Sequence, residues 1–122
     1  MEGKTSFSVL EKEFMHVLRS EINSSEDKID LENHFSNTMK ALLKKVFEHE
    51  HISCDVDDAD VMFNPRARNY YTISGKLLQM KPFRGLWVGS DLPNVIGRFA
   101  DSAHKKFLHL ERHREKARFK IR

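Results

Sequence analysis

The most distinctive chemistry lies at the C-terminal end, where Arg112, Arg114, Lys116, Arg118, Lys120 and Arg122 place a base at every second residue with Glu115 the only acid among them. Cations this closely spaced suit a polyphosphate partner. An extended arm would put all six on one edge, whereas a helix would fan them around its cylinder, and either form can meet phosphates. Engagement of about six phosphates would give log affinity a slope of roughly −4 to −5 against log salt. Lys105, Lys106, Arg66, Arg68, Lys81 and Arg84 are candidates to extend the same surface, the last four from two turns. Tyr70, Trp87 and Phe119 are candidates to stack on bases, although aromatics at such positions more often fill a core.

Two other constellations carry less. His109 and His113 are spaced i, i+4 and so could reach one metal from a helix, but no third ligand is evident. The stretch His109-Leu110-Glu111-Arg112-His113 also lacks the Glu placement of a metalloprotease motif, so no metal is expected. Asp55, Asp57, Asp58 and Asp60 gather four carboxylates in six residues. A calcium loop starting there would need Gly and Glu at its sixth and twelfth positions, where Asp60 and Arg66 stand. These four aspartates are instead the candidate contact surface of a protein-interaction module. A phosphate-cradling glycine loop and a Ser or Cys nucleophile with a recognisable elbow are both missing, so neither enzyme activity nor a cofactor is expected.

The 122 residues suffice for one domain, and 39% apolar content in periodic segments describes a globular chain. No apolar run approaches the roughly 18 to 20 residues that span a bilayer, and an export signal is not evident, so the expected location is the cytoplasm without a membrane partner. Cys54, the single cysteine, excludes an intrachain disulfide. The net charge of +3 conceals a division: residues 1–63 carry seven Lys/Arg and fourteen Asp/Glu, net −7, whereas residues 64–122 carry fourteen and four, net +10. Such segregation points to a polyanionic partner for the second half.

The positioning elements follow from hydrophobic period. Phe7, Leu10, Phe14, Val17 and Leu18 fall at helical spacing, although Phe14 to Ile22 also reads as a strand; helix is slightly favoured on periodicity. Asp30 can cap a helix whose stripe is Leu31, Phe35, Met39, Leu42 and Val46, with Lys40 and Lys44 on its outer face. A strand is expected from Ile52 to Phe63, a second from Tyr71 to about Met80, and a short third at Leu86-Trp87-Val88. Ser90 or Asp91 then caps a final helix with Pro93 in its first turn and an apolar stripe of Leu92, Ile96, Phe99, Ala103, Phe107 and Leu110. The expected class is two-layer α+β, an antiparallel sheet of three to four strands with two helices on one face. Its order is α-α-β-β-β-α or β-α-β-β-β-α, with a single domain over residues 1–111 that includes an N-terminal extension at 1–12, and a basic tail at 112–122.

From about Asp30 to Lys120 the chain resembles the short-form ribosome hibernation-promoting and ribosome-associated inhibitor factors. The resemblance lies in the run Asp91-Leu92-Pro93-Asn94-Val95-Ile96, then Asp101-Ser102-Ala103-His104-Lys105-Lys106-Phe107, then Arg112-His113-Arg114-Glu115-Lys116, and in Ile52-Ser53-Cys54. It departs at Pro93-Asn94, at Lys81-Pro82-Phe83-Arg84 and in the acidity of residues 55–60. What it implies is the β-α-β-β-β-α order and a non-catalytic factor that occupies the tRNA and mRNA channel of the small ribosomal subunit and silences idle ribosomes under stress. Lys105, Lys106, Arg112, Arg114 and Lys116 would then contact ribosomal RNA, with Lys40 and Lys44. The contrasting expectation is an immunity protein, antitoxin or phage inhibitor acting through residues 55–60.

Overall fold

Between the two periods open to the N-terminal segment, the helical one prevails. A computed structural model describes residues 6–120, with side chains through Arg112. Ser8–Asn23 form α1, which buries Phe14, Met15, Leu18 and Ile22 along one face. The strand that the family resemblance implies there does not form.

Lys28–His49 form α2, whose expected stripe is buried together with Leu43 and Phe47. Its cap is Asp27, one turn earlier than expected. The Asp27 carboxylate accepts from the Asp30 N–H at 2.8 Å, while Asp30 accepts from the Glu26 N–H at 3.2 Å, so two orphan donors at the entry are satisfied. The exit turns through His51 at φ 57°, with the Ile52 N–H donating to the Phe47 carbonyl at 2.8 Å. This is the left-handed helix ending usually served by glycine, here built on histidine.

The expected α+β sheet is the principal correction. Among the described residues the only strands are β1, Val61–Phe63, and β2, Tyr71–Ile73, paired antiparallel with Met62 opposite Thr72. Residues 52–57 do alternate between inward and outward positions, but without a ladder. Alternation reports backbone running over an apolar surface; pairing is a further condition. The second strand stops at Ile73 because the Ser74 hydroxyl accepts from the Leu77 N–H at 3.2 Å and caps a short helix, α3, Gly75–Leu78. Leu86-Trp87-Val88 lie in α4, Lys81–Gly89, entered at Pro82 in its first turn. Successive helical positions turn by about 100°, so Leu86 is buried, Trp87 half-buried and Val88 exposed. A three-residue apolar run fits strand or helix equally.

The closing helix α5, Leu92–Lys120, buries its expected stripe, with Leu92, Ile96, Phe99 and Ala103 fully enclosed and Phe107 and Leu110 partly so. Pro93 stands in its first turn, as expected. The helices α1, α2 and α5 each pack on the other two, and the hairpin lies against α2. The domain is therefore mainly helical, a three-helix core with a small hairpin, and α5 passes without interruption through the boundary expected at residue 112.

Gly97 interrupts the α5 sequence at a point where a Cβ would meet nothing within 4 Å. Because glycine in a helix interior costs about 1 kcal/mol relative to alanine, Gly97→Ala should raise the unfolding free energy by about 0.5 to 1 kcal/mol. A urea titration monitored by circular dichroism measures this as a higher midpoint at unchanged slope.

Candidate nucleic-acid interface

A run of aromatic rings fastens the hairpin to α5. Phe35 of α2 meets Phe63 of β1 edge-on at 5.9 Å, and Phe63 meets Phe107 of α5 at 5.9 Å. His104 lies 6.1 Å from Phe107 and stacks on Tyr70 at 3.7 Å with planes 3° apart. Tyr70 adopts φ 70°, a left-handed conformation that costs a bulky residue of order 1 to 3 kcal/mol. The turn that holds it is closed by the Asn64 N–H donating to the Tyr70 carbonyl at 2.8 Å and the Tyr70 N–H donating to that of Ala67 at 3.1 Å. Stacking on His104 fixes the ring that this backbone turns toward α5.

Docking in this way opens a cleft of about 510 Å³ between the hairpin turn and α5. Arg68, Asn69 and Tyr70 form one wall; Asn94, Gly97, Arg98 and Asp101 form the other. The two arginines are not equivalent. Arg98 is held on Glu11 of α1 by a two-point bond, Nε to Oε2 at 2.5 Å and Nη2 to Oε1 at 2.8 Å, and the bonded carboxylate raises its pKa. Arg68 is exposed and has no ion-pair partner among the described residues, so it supplies the cleft's uncommitted positive charge.

The other expected cations divide into groups. Lys105 reaches Asp101 at 3.8 Å and Lys40 reaches Asp58 at 3.4 Å, both loose surface pairs of little energetic value. Arg66, Lys81, Arg84, Lys106 and Arg112, with Lys44 of α2, have no ion pair among the described residues. Arg66 and Arg68 sit on the hairpin turn, and Lys105, Lys106 and Arg112 on α5. Lys81 and Arg84 belong to α4, which is held elsewhere by Phe83 on Phe47 at 6.2 Å and Trp87 on Tyr71 at 6.3 Å. The side chains of His113, Arg114, Lys116, Arg118, Phe119 and Lys120, and Arg122 entirely, lie outside the described residues. The backbone is helical to Lys120, so Arg112, Lys116 and Lys120 recur every four residues along a helix.

The acidic cluster is built around one internal carboxylate. Asp60 is 3% exposed; its oxygens accept from the Ser74 hydroxyl at 2.7 Å, the Asp57 N–H at 2.7 Å and the Lys76 ammonium at 2.9 Å. Burial by itself pushes the Asp60 carboxyl up, but the Asp57 and Ser74 hydrogen bonds and the Lys76 charge together outweigh it and hold the pKa below its ordinary 3.8. Lys76 also reaches Asp57 at 3.2 Å and the Asp55 carbonyl at 2.9 Å. Asp60 is thus the node that ties residues 55–60 to the start of α3, and Asp55, Asp57 and Asp58 are exposed around it.

One hydroxyl–imidazole pair was not evident from sequence spacing. Ser25 Oγ stands 2.8 Å from His34 Nδ1 and donates to the Glu21 carbonyl at 3.1 Å. The single hydroxyl proton serves both bonds only if His34 Nδ1–H donates to Ser25. In that tautomer the imidazole is no base toward the serine, and the pair locks the turn between α1 and α2. Among the described residues no group of three or more His, Cys, Asp or Glu could hold a metal, and no helix is long and apolar enough to cross a membrane. Compared with protein-family models, curated proteins and solved structures, the chain matches none.

Because the Asp60 pKa is lowered on folding, its stabilising contribution is complete above the unfolded value near 3.8 and is lost as pH falls through the folded value. Asp60→Asn should lower stability at pH 7 by about 2 kcal/mol through mismatched buried donors. Urea midpoints measured from pH 7 to pH 2.5 should converge between variant and parent at the acid end.

Proposed function

We propose that this protein is a non-catalytic RNA-binding factor that meets phosphates along α5 and the adjoining hairpin turn. The carrying observation is that folding leaves Arg66, Arg68, Lys106 and Arg112 without ion pairs among the described residues, although Lys76 and Arg98 of the same basic half are taken up by N-terminal acids. These four stand on two elements that the Tyr70–His104 stack joins. Beyond them the helix continues through Lys116 and Lys120, supplying cations along a rod of about 1.5 Å rise per residue. The reading places the chain in the cytoplasm with its RNA.

The more specific ribosomal form, occupancy of the small-subunit tRNA and mRNA channel, draws on the sequence resemblance. The strand count that accompanied the resemblance is absent from the described residues, so it is the basic helix end that supports the ribosomal form. The protein-interaction reading gains less from the geometry, since Asp60 is enclosed and Asp57 and Asp58 already face Lys76 and Lys40.

Replacing Arg112, Arg114, Lys116, Arg118 and Lys120 together by Gln should leave the thermal transition in place, because these positions follow Leu110, the last core residue among the described residues. RNA affinity should fall, and the slope of log affinity against log salt should flatten by about 4. Cosedimentation with separated ribosomal subunits, competed by tRNA and mRNA and compared with an unrelated protein of equal charge, tests the ribosomal form. Undiminished RNA affinity in the variant would remove the proposal.

A further inference from the structure

The cleft between the hairpin turn and α5 combines features that a uniformly basic surface does not require. At about 510 Å³ it falls in the size range of small-molecule sites. Its charges are separated: among the described residues Arg68 on the hairpin wall has no ion pair, and Asp101 on the helix wall is a carboxylate paired only with the distant Lys105 at 3.8 Å. A site for bare phosphate would not keep Asp101 in its wall, since like charges repel. A ligand bearing both an anion and a hydrogen-bond donor accommodates both groups. Asn69 and Asn94 add donors and acceptors of the kind that read a base edge. Tyr70 contributes an aromatic wall immobilised by His104.

Gly97 lines the cleft in the interior of α5, with open space where its Cβ would be. The helix wall therefore presents bare backbone there, which a ligand can approach closely.

We infer that this cleft seats one ribonucleotide, its phosphate on Arg68 and its ribose hydroxyl donating to Asp101, with the base beside Tyr70 and the two asparagines. The inference rests on the RNA-binding reading and deepens it, because a ribose hydroxyl is what separates RNA from DNA at a given site. The bound nucleotide is a unit of an RNA strand that α5 carries past the cleft.

The test titrates the full chain with adenosine 5′-monophosphate and its 2′-deoxy counterpart, followed by amide nitrogen–proton NMR. Saturable shifts are expected at Asn69, Tyr70, Asn94, Gly97 and Asp101, with the deoxy form several-fold weaker. Arg68→Gln and Gly97→Leu should each weaken binding at least tenfold, and Asp101→Ala, which removes the acceptor, should erase the preference for ribose. A short single-stranded oligoribonucleotide should compete for the same amides. The tail variant with five glutamines should keep the mononucleotide site, which separates failure of this inference from failure of tail-mediated RNA binding. Shifts that miss the cleft, or an affinity unaltered by Arg68→Gln, would overturn the site. Equal binding of the deoxy form would overturn the Asp101 role, and absence of competition by the oligonucleotide would overturn the assignment to RNA. Should Gly97→Leu fail to fold, Arg68→Gln, at an exposed and unpaired position, decides the outcome.

Discussion

Phe63 is the contact on which the arrangement turns. A hairpin of two three-residue strands has too little ladder to stand alone in water, and it persists because Phe63 enters the space between Phe35 of α2 and Phe107 of α5. The apolar ring is buried only if both long helices are in place, and the helices close over that region only if the ring fills it. Lys28 sits 5.0 Å above the Phe107 ring and also pairs with Glu111, so the same junction reaches the surface as a charged tie between α2 and α5. The hairpin side of the candidate interface is carried by this joint. The turn holding Arg66, Arg68 and Tyr70 follows Phe63 directly, and its position against α5 is the position that Phe63 dictates.

Electrostatics then refine what packing has set. The segregated charge of the two halves is not preserved as two opposing faces, because the helices cross and exchange partners. Glu11 takes Arg98, Glu111 takes Lys28, and Asp57 and Asp60 take Lys76. Most of these pairs are at least partly in water and add little to stability. Their larger effect is selective, since they remove particular cations from the basic half and leave others uncommitted. Asp60 differs because it is enclosed, where an unpaired carboxylate is costly and three donors make it tolerable. Its function is internal, fastening an otherwise irregular acidic segment to the start of α3.

The same logic separates local strain from local design. His51 and Tyr70 both occupy left-handed backbone that favours glycine. At His51 the conformation ends a helix whose last carbonyls need partners. At Tyr70 it turns a ring onto His104 and thereby shapes a cleft. Two identical departures from local preference thus serve termination in one case and placement in the other, and only the surrounding contacts distinguish them.

What the sequence alone determined were the elements with enough length to average out local ambiguity. The stripes of α2 and α5 span four or more turns and the excess of positive charge after residue 63 is a matter of counting, whereas Phe14 to Ile22 fits both periods and is settled as helix only by the packing of α1. The tertiary structure decided the short segments. Ile52 to Val56 alternates whether or not a neighbouring strand exists, Leu86-Trp87-Val88 is too brief to show a period, and Ser74 ends a strand only because Leu77 and Asp60 answer its hydroxyl. The candidate site was legible by halves. Its free cations could be read as residue types, whereas the meeting of Arg68 and Tyr70 with Gly97 and Asp101 joins residues about thirty positions apart through the packing of Phe63. Periodicity describes what one segment does relative to a surface, and a cleft between two segments is defined only once both surfaces exist.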